Sequence, residues 1–239
     1  MRSVLLAVGA VYFLLVANFY NESHGFTEFY NAMYAVWKVV PIVFLTIFAA
    51  LDGGGLPTTE RTLCALGLFF GGVGDVLIGL SHEGIVTGAI AFGIGHFFYM
   101  VCYCGGHFFS RPTTWCWPLL VITFLWGIVI GEFCVFPMFD EHPFAVTVMV
   151  LYSLILSSCL VLTGSQYYNR QKVDDKEGLL LRYIGFLMFY ISDSVLIMNH
   201  TGHKIPFPQL IILGTYYTAQ YLILCGNIHT ALHVKVIRN

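Results

Sequence analysis

The chain has 239 residues, of which 58% are hydrophobic and only 10% are charged. Soluble domains carry about 25% charged residues, so this composition excludes a water-soluble domain, which could not cover its surface with so few charges. The net charge of -2 and the lack of a basic patch give no indication of nucleic-acid binding. The length favours a single domain over residues 1–239, and the composition predicts an all-α, polytopic membrane bundle.

Eight apolar segments approach the roughly 20 residues that a helix needs to cross a bilayer. The first resembles a signal peptide, but no small-residue cleavage site follows it, so we interpret it as a membrane helix. Turn residues such as Asp52–Pro57 and polar runs such as Gln166–Gly178 separate the segments. Short loops favour antiparallel packing of successive helices. The predicted spans are residues 3–20, 32–50, 62–80, 84–104, 115–132, 143–163, 179–199 and 208–230.

Positive charges are unevenly distributed between the two ends of the predicted bundle. Nine of the eleven Lys and Arg residues fall at the end that holds both termini, whereas Lys204 and several carboxylates lie at the other. The positive-inside rule therefore predicts cytoplasmic termini. Eight helices without a secretory signal favour the endoplasmic reticulum or another internal membrane of a eukaryotic cell. The nine residues are Arg2, Arg61, Arg111, Arg170, Lys172, Lys176, Arg182, Lys235 and Arg238.

The cysteines and the last histidines do not form a metal-binding pattern. All seven cysteines except Cys116 lie in apolar runs, and none forms a Cys-x-x-Cys pair. We interpret them as small buried side chains and not as disulfides or metal ligands. His229 and His233 have helical i,i+4 spacing but no carboxylate in register, so they do not predict a metal site. No metal and no cofactor are expected.

Three charged residues lie within the predicted spans: Lys38, Asp75 and Asp193. A charge at the centre of a bilayer costs at least ~2.5 kcal/mol, so such residues are functional candidates. Counted from the predicted helix ends, all three lie roughly 7–9 Å below the same membrane face. This common depth predicts one shared polar cavity. The alternative for Lys38 is that its long side chain extends separately to the interface.

The two aspartates lie in similar local sequences, Gly74–Ile78 and Ser192–Ile197, which are separated by 118 residues. A histidine follows each aspartate after seven residues, and the same offset relates two tyrosines. These matches suggest a possible 4+4 parallel repeat about an axis along the membrane normal; the alternative is a chance match between short motifs. The related pairs are Asp75 and Asp193, His82 and His200, and Tyr99 and Tyr217.

Two further polar groups lie inside apolar helices and could line the same cavity. A lone histidine on an apolar helix, such as His96, is usually a hydrogen-bonded packing residue, and Gln220 is equally consistent with hydrogen bonding between helices. One misleading motif is Gly72-Val73-Gly74-Asp75, which matches the Gly-x-Gly-Asp of intramembrane aspartyl proteases. Those proteases also carry a Tyr-Asp on the preceding helix and a later Pro-Ala-Leu, and this chain has neither in the required place.

Taken together, the motifs within the spans resemble the YhhN-like family of lysoplasmalogenases, which are eight-helix membrane proteins. The matching elements follow the order of the family and cover predicted helices 2, 3, 4, 7 and 8. They are Lys38-x-x-Pro41, Gly74-Asp75-Val76-Leu77, Gly88-x-x-x-Phe92-x-x-x-His96-x-x-Tyr99, Ile191-Ser192-Asp193-Ser194 and Thr215-Tyr216-Tyr217-x-Ala219-Gln220.

The resemblance implies an ether hydrolase that cleaves the vinyl ether of lysoplasmalogens to a fatty aldehyde and glycerophosphoethanolamine or glycerophosphocholine. Its partners would be this lipid substrate and the surrounding membrane lipids. The resemblance implies a catalytic role for Asp75 and Asp193. It implies substrate binding or support for Lys38, His96, Tyr99, Ser192, Tyr217 and Gln220.

This chemistry suits a pair of carboxyl groups. One neutral carboxyl would protonate the vinyl carbon as a general acid, and the other carboxylate would stabilise the cation and activate water. Two close carboxyls in a low-dielectric site do not both ionise readily, so the pair could supply both forms. The sequence does not decide which aspartate is the acid. Lys38 could bind the headgroup phosphate or tune the pair, and its depth favours tuning.

Two other functional classes fit the same features. A proton-coupled transporter also uses intramembrane acids and a lysine in a repeat fold. Few helix-breaking residues interrupt the spans near the aspartates beyond Gly71, Gly72 and Gly74, which disfavours a transporter. A non-catalytic lipid-binding membrane protein is the third class, and conservative Asp→Asn variants that keep lipid binding but lose turnover would separate it from an enzyme.

Overall fold

The computed structural model describes residues 2–27, 30–51, 54–104 and 114–238, and within these ranges it contains eight α-helices and no β-strand. This confirms the prediction of an all-α helical bundle. Arg111, part of the predicted charge asymmetry, lies outside the described residues. The helices are α1 Arg2–Glu22, α2 Ala32–Leu51, α3 Thr58–Leu80, α4 Gly84–Cys104, α5 Trp117–Ile130, α6 Pro143–Tyr168, α7 Lys176–His200 and α8 Pro208–Arg238.

Seven of these helices are long and apolar enough to cross a membrane, so the chain is a multi-pass membrane protein. The seven are α1 to α7, with α5 continuing through a π turn, Gly131–Val135, to Met138. Helix α8 has 31 residues, enough to cross, but polar side chains in its central turns lower its hydropathy. It also extends beyond the predicted end at 230, because its last turns contain His233, Lys235 and Arg238 and so fall outside the apolar run that set the prediction.

The helices form a bundle in which successive pairs pack side by side. The pairs α2 with α3, α3 with α4, and α7 with α8 pack most extensively, and α6 packs against both α4 and α7. Helix α5 is peripheral, since Thr123 is the one buried residue within its bounds. All seven cysteines carry free thiols, and five of them are buried.

Glycines allow α3 and α4 to approach closely next to Asp75. A Cβ on Gly74 would lie 2.6 Å from the ring of Phe92, and a Cβ on Gly88 would lie 2.6 Å from Ile78. Small residues at helix interfaces allow this close approach in membranes, where packing rather than water drives association. The glycines therefore set the distance between the helix that carries Asp75 and the helix that carries His96.

Helices α1 and α2 are attached to α8 by tyrosine hydroxyls. Tyr12 donates to the carbonyl of Tyr217 at 3.0 Å, and Tyr221 donates to the carbonyl of Leu5 at 2.7 Å. Pro41 lies inside α2 and lacks the N–H of a regular helical residue. Three residues before Pro41, the carbonyl of Lys38 accepts a hydrogen bond of 2.7 Å from the hydroxyl of Tyr217. These bonds hold the Lys38 backbone in a fixed place relative to α8.

The basic end of the bundle contains a buried polar cluster that the sequence did not reveal. Arg182, counted above among the charges of this end, is fully buried, and its guanidinium lies 5.1 Å from the ring centre of Tyr103. Asp175 caps α7 by accepting from the N–H of Gly178 at 3.1 Å. Burial alone would raise the pKa of Asp175, but hydrogen bonds from His229, Gly178 and Thr230 outweigh it and lower that pKa.

Candidate active site

A polar cavity of about 470 Å³ opens at the end of the bundle opposite the termini. Lys38, Asp75 and Asp193 all line it, so the structure brings together the three charged residues singled out from the sequence. Lys38 and Asp75 retain only 6% and 1% of their exposed surface. The cavity walls come from α2, α3, α7 and α8, from one residue of α4, and from the loops between α1 and α2 and between α3 and α4.

Asp75 is held as part of a buried ion pair. Its Oδ1 lies 3.2 Å from the Nζ of Lys38, and its Oδ2 accepts a hydrogen bond of 2.5 Å from the hydroxyl of Tyr216. The amide of Gln220 lies behind that hydroxyl and donates to it at 3.4 Å. A cation and a hydrogen-bond donor at a buried carboxyl both favour its charged form, so this environment stabilises an ionised Asp75.

Asp193 has a different set of neighbours. The hydroxyl of Tyr152 donates to its Oδ2, and the Nε2 of His96 lies 3.4 Å from the same hydroxyl. His96 itself packs edge-on against Phe189, with ring centres 4.6 Å apart. Within the described residues, no cation lies within ion-pair distance of Asp193, although Lys38 and Asp75 lie within electrostatic reach.

A second, apolar cavity of about 200 Å³ lies between α3, α4, α5, α6 and α7. Its walls include Ala89, Met149 and Ile197. Ile128 and Leu154 also line it and are 57% and 43% exposed, so the cavity reaches the outer side of the bundle that faces lipid. Such a space suits a hydrocarbon chain.

Asp193 lies where the two cavities meet. It lines both of them, together with Ile78, Phe92 and Leu196. An elongated molecule with an apolar chain in one cavity and a polar group in the other would therefore pass Asp193 at the junction. Asp75, in contrast, lines the polar cavity alone.

The other residues predicted from the resemblance lie at different distances from the cavities. Ser192 lines the polar cavity, but its hydroxyl donates to the carbonyl of Ile212 at 2.9 Å. His96 and Gln220 lie outside both linings and contact the tyrosines that bond to the aspartates. Tyr99 and Tyr217 are buried outside both linings, and Tyr217 acts on the site through the Lys38 carbonyl.

Sequence reasoning missed the two tyrosines that bond to the aspartates. Tyr216 belonged to a quoted motif but was not assigned a role, and Tyr152 lies on α6, which carried no motif. Two signals could have found Tyr152. It is the one tyrosine in the apolar run 143–164, and the 118-residue offset carries Tyr34, another cavity residue, onto it.

One pair of residues related by the 118-residue offset is in direct contact. The rings of His82 and His200 stack with their centres 4.1 Å apart and an angle of 21° between their planes. Each aspartate bonds to a tyrosine that contacts an amide or an imidazole. The 4+4 repeat stays a prediction, and these parallels support it.

Comparison with known proteins agrees with this geometry, since the YhhN family matches residues 33–227. The chain belongs to the YhhN family. It is 25% identical to the lysoplasmalogenase TMEM86A of Homo sapiens over 84% of this chain and 80% of that protein. It is 30% identical to the lysoplasmalogenase TMEM86B of Mus musculus over 80% of this chain and 73% of that protein. No solved structure matches the chain.

The part of the chain matched to the YhhN family runs from the start of α2 into α8. It therefore contains both aspartates, Lys38 and both partner tyrosines. It leaves out α1 and the last turns of α8, which lie away from the two cavities. The family match and the site consequently occupy the same part of the fold.

Proposed function

We propose that this protein is a hydrolase of the lysoplasmalogenase type, which cleaves the vinyl ether of a lysoplasmalogen with water. The products would be a fatty aldehyde and glycerophosphoethanolamine or glycerophosphocholine. The names of the similar mammalian proteins support this class of reaction. The observation that carries the proposal is the position of Asp193 at the junction of an apolar and a polar cavity.

The two cavities match the two ends of such a lipid. The alkenyl chain would enter sideways from the membrane into the apolar cavity, past Ile128 and Leu154. The glycerophospho group would occupy the polar cavity and reach water at its mouth. In this arrangement the vinyl ether, which joins chain and headgroup, comes to lie beside Asp193. The reacting group is then held where one side is apolar and the other polar.

The neighbours of the two aspartates support a different role for each. Asp75 is paired with Lys38 and accepts from Tyr216, so it serves as the ionised carboxylate. Asp193 lacks a paired cation among the described residues and borders the apolar cavity. Both carboxyls accept a hydrogen bond from a tyrosine, so the cation distinguishes them, and the carboxyl without a cation more strongly favours its neutral form. Asp193 is therefore the general acid, and Asp75 is the base that activates water.

The proton transfers of the reaction balance with Asp75 and Asp193 alone. Asp193 gives its proton to the vinyl carbon β to the oxygen, which leaves an oxocarbenium ion between two carboxylates. A water molecule adds to the carbon bonded to oxygen, and Asp75 takes one of its protons. The hemiacetal then loses its hydroxyl proton to Asp193, while Asp75 returns its proton to the departing glycerol oxygen. The aldehyde and the alcohol leave, and both aspartates regain their starting states.

A proton-coupled carrier is the competing function. A carrier needs access to its site from both sides of the membrane in turn. Among the described residues, the linings of the two cavities include none from the basic end of the bundle, such as Arg61 or Lys176. The access to water lies at the opposite end, which the positive-inside rule would place on the lumenal side of an internal membrane. This one-sided geometry favours the enzyme.

Aldehyde release from membranes that contain the full-length protein tests the proposal. A vinyl-ether lysolipid is the substrate, and its saturated alkyl-ether counterpart is the control, because it has no vinyl carbon to protonate. We expect aldehyde from the vinyl ether alone and loss of release in Asp75→Asn and Asp193→Asn. A well-folded protein that releases no aldehyde from either headgroup form would reject the hydrolase and favour transport or lipid binding.

A further inference from the structure

The stacked pair His82 and His200 lies in the same polar cavity as the aspartates but takes no part in the mechanism above. His200 follows Asp193 by seven residues within α7, which is roughly 10 Å along the helix, and His82 lies two residues beyond the end of the helix that carries Asp75. The pair therefore lies nearer to the mouth than the reacting groups. A lipid whose ether lies at the aspartates would extend its glycerol and phosphate in this direction.

The histidine rings have nitrogen atoms available for a ligand. Neither ring forms a hydrogen bond to another described residue, and the ring of Tyr30 packs edge-on against His82 with centres 5.8 Å apart. Because the two imidazole planes are only 21° from parallel, their edge nitrogens can point in similar directions. Two N–H groups so arranged can donate to oxygens of one anion.

The polar side chains near the mouth of the cavity suit an oxyanion, because they can donate hydrogen bonds. Among the lining residues that the structure describes, Lys38 is the one Lys or Arg, and its charge is matched by Asp75. The amides of Asn199 and Gln209 also line the cavity and form no side-chain hydrogen bonds to the described residues. Near the mouth the lining thus offers imidazole and amide donors. Among the described residues, the carboxylate next to His82 in sequence is Glu83, which is exposed and does not line the cavity.

We propose that His82 and His200 bind the phosphate of the lipid headgroup. The inference rests on the proposed function, because that function places a glycerophospho group in this cavity. Hydrogen bonds to a charged phosphate oxygen are stronger than those between neutral groups. The pair would thus fix the headgroup, and with it the distance between the phosphate and the vinyl ether at Asp193.

Binding measurements test this site separately from turnover. Purified full-length protein is titrated with a saturated 1-alkyl lysophospholipid, which cannot be hydrolysed, and with the matching 1-alkylglycerol, which lacks the phosphate. We expect His82→Gln and His200→Gln each to weaken binding of the phospholipid on the order of tenfold, the size of one hydrogen bond to a charged group. Binding of the alkylglycerol should stay within twofold of wild type, which is roughly the effect of a substitution that removes no contact with the ligand.

His142→Gln is the matched control, because His142 is exposed on the loop before α6 and lines neither cavity. It should bind both lipids as wild type does. Inorganic phosphate is titrated in parallel, to separate a headgroup site from a general anion site. Equal weakening of both lipids in the histidine variants, or unchanged binding of the phospholipid, would overturn the inference. Tight binding of free phosphate without any preference for the phospholipid would also overturn it.

The kinetic counterpart distinguishes failure of this site from failure of the hydrolase. The two substrates are a vinyl-ether lysophospholipid and a 1-alkenylglycerol. The histidine variants should raise KM for the lysophospholipid about tenfold and leave KM for the alkenylglycerol unchanged. Absence of aldehyde from wild type with either substrate would reject the hydrolase. The alkyl-lipid titration would still decide whether the histidines bind the phosphate.

Discussion

The Nζ of Lys38 lies 3.2 Å from Oδ1 of Asp75, and both side chains are buried. Asp193, on the same cavity, is bonded instead to the hydroxyl of Tyr152. The two aspartates are thus similar in position and partner tyrosine but different in charge environment. In the proposed mechanism that difference gives a pair of identical residues two complementary roles, as in enzymes that use two carboxyls.

Lys38→Met should destabilise the protein and abolish aldehyde release. It would leave a buried carboxylate without its cation, a change that costs roughly 3–5 kcal/mol in buried pairs. Thermal unfolding in detergent measures the first effect, and aldehyde release measures the second. A Lys38→Met protein with wild-type stability and activity would show that the ion pair contributes to neither.

The double variant Lys38→Met with Asp75→Asn separates structure from catalysis. Removal of both charges avoids an unpaired buried ion, so we expect thermal stability to recover most of the loss. Activity should remain absent, because the base is missing. If Lys38 bound only the headgroup, Lys38→Met would instead raise KM and leave both stability and kcat unchanged.

Tyr152→Phe should lower kcat while the protein remains folded. The substitution removes the hydroxyl that donates to Asp193 and contacts His96. Loss of a hydrogen bond to a carboxyl group that changes its charge is expected to cost roughly 10- to 100-fold in rate. Single-turnover aldehyde release measures this rate.

Tyr190→Phe is the control for that change. Tyr190 also lines the apolar cavity, but its hydroxyl donates to the carbonyl of Thr123 at 2.8 Å and not to an aspartate. It should retain most of the wild-type rate. Equal losses in the two variants would show that the effect of Tyr152 comes from packing.

Ala89→Leu should shorten the chain that the enzyme accepts. Ala89 is buried and lines the apolar cavity, so a larger side chain would displace methylenes of the substrate. Each buried methylene contributes about 0.8 kcal/mol, or on the order of fourfold in kcat/KM. We expect long-chain vinyl ethers to lose more activity than short-chain ones. The exposed Val121 of α5 offers the control Val121→Leu, which should leave chain preference unchanged.

Helix number and the position of the charged residues within helices could be predicted from the sequence because both follow from hydropathy along the chain. The cavity follows from these, since Lys38, Asp75 and Asp193 had to share a polar space or be exposed to lipid. The resemblance added the reaction, which composition could not supply. The ordered motifs on α2, α3, α7 and α8 thus identified the helices that surround the polar cavity.

Cross-helix partners could not be predicted, because they depend on how helices rotate and pack. The sequence does not distinguish Tyr152 from another tyrosine in an apolar helix, because its hydrogen bond to Asp193 forms only when α6 packs beside α7. Tyr217 lies next to Tyr216 in sequence, but on a helix adjacent residues point in different directions. The structure therefore assigns Tyr216 to Asp75 and Tyr217 to the backbone of Lys38. Arg182 was counted as an end charge because its burial depends on α4 and α8.

Asp175 should stabilise the basic end of the bundle without affecting the site. It caps α7 and lies 2.8 Å from the Nδ1 of His229, whose Nε2 lies 3.0 Å from Glu177. Asp175→Ala should lower the free energy of unfolding by about 1–2 kcal/mol at neutral pH, as for other lost N-caps. Aldehyde release at a temperature where the variant stays folded should match wild type, because the residue is far from both cavities.

The same residue predicts how this stability depends on pH. Because its folded pKa is lowered, its contribution is complete above the ordinary value of 3.8 and is lost as the pH falls through the lower folded value. The difference in melting temperature between wild type and Asp175→Ala should therefore be largest at neutral pH and shrink below pH 3.8. Asp175→Asn keeps an acceptor oxygen for the cap but cannot ionise, so its deficit at neutral pH should be smaller and should disappear under the same acidic conditions. A difference between wild type and Asp175→Ala that stays constant across this range would show that the charge of Asp175 contributes nothing and that the cap alone stabilises α7.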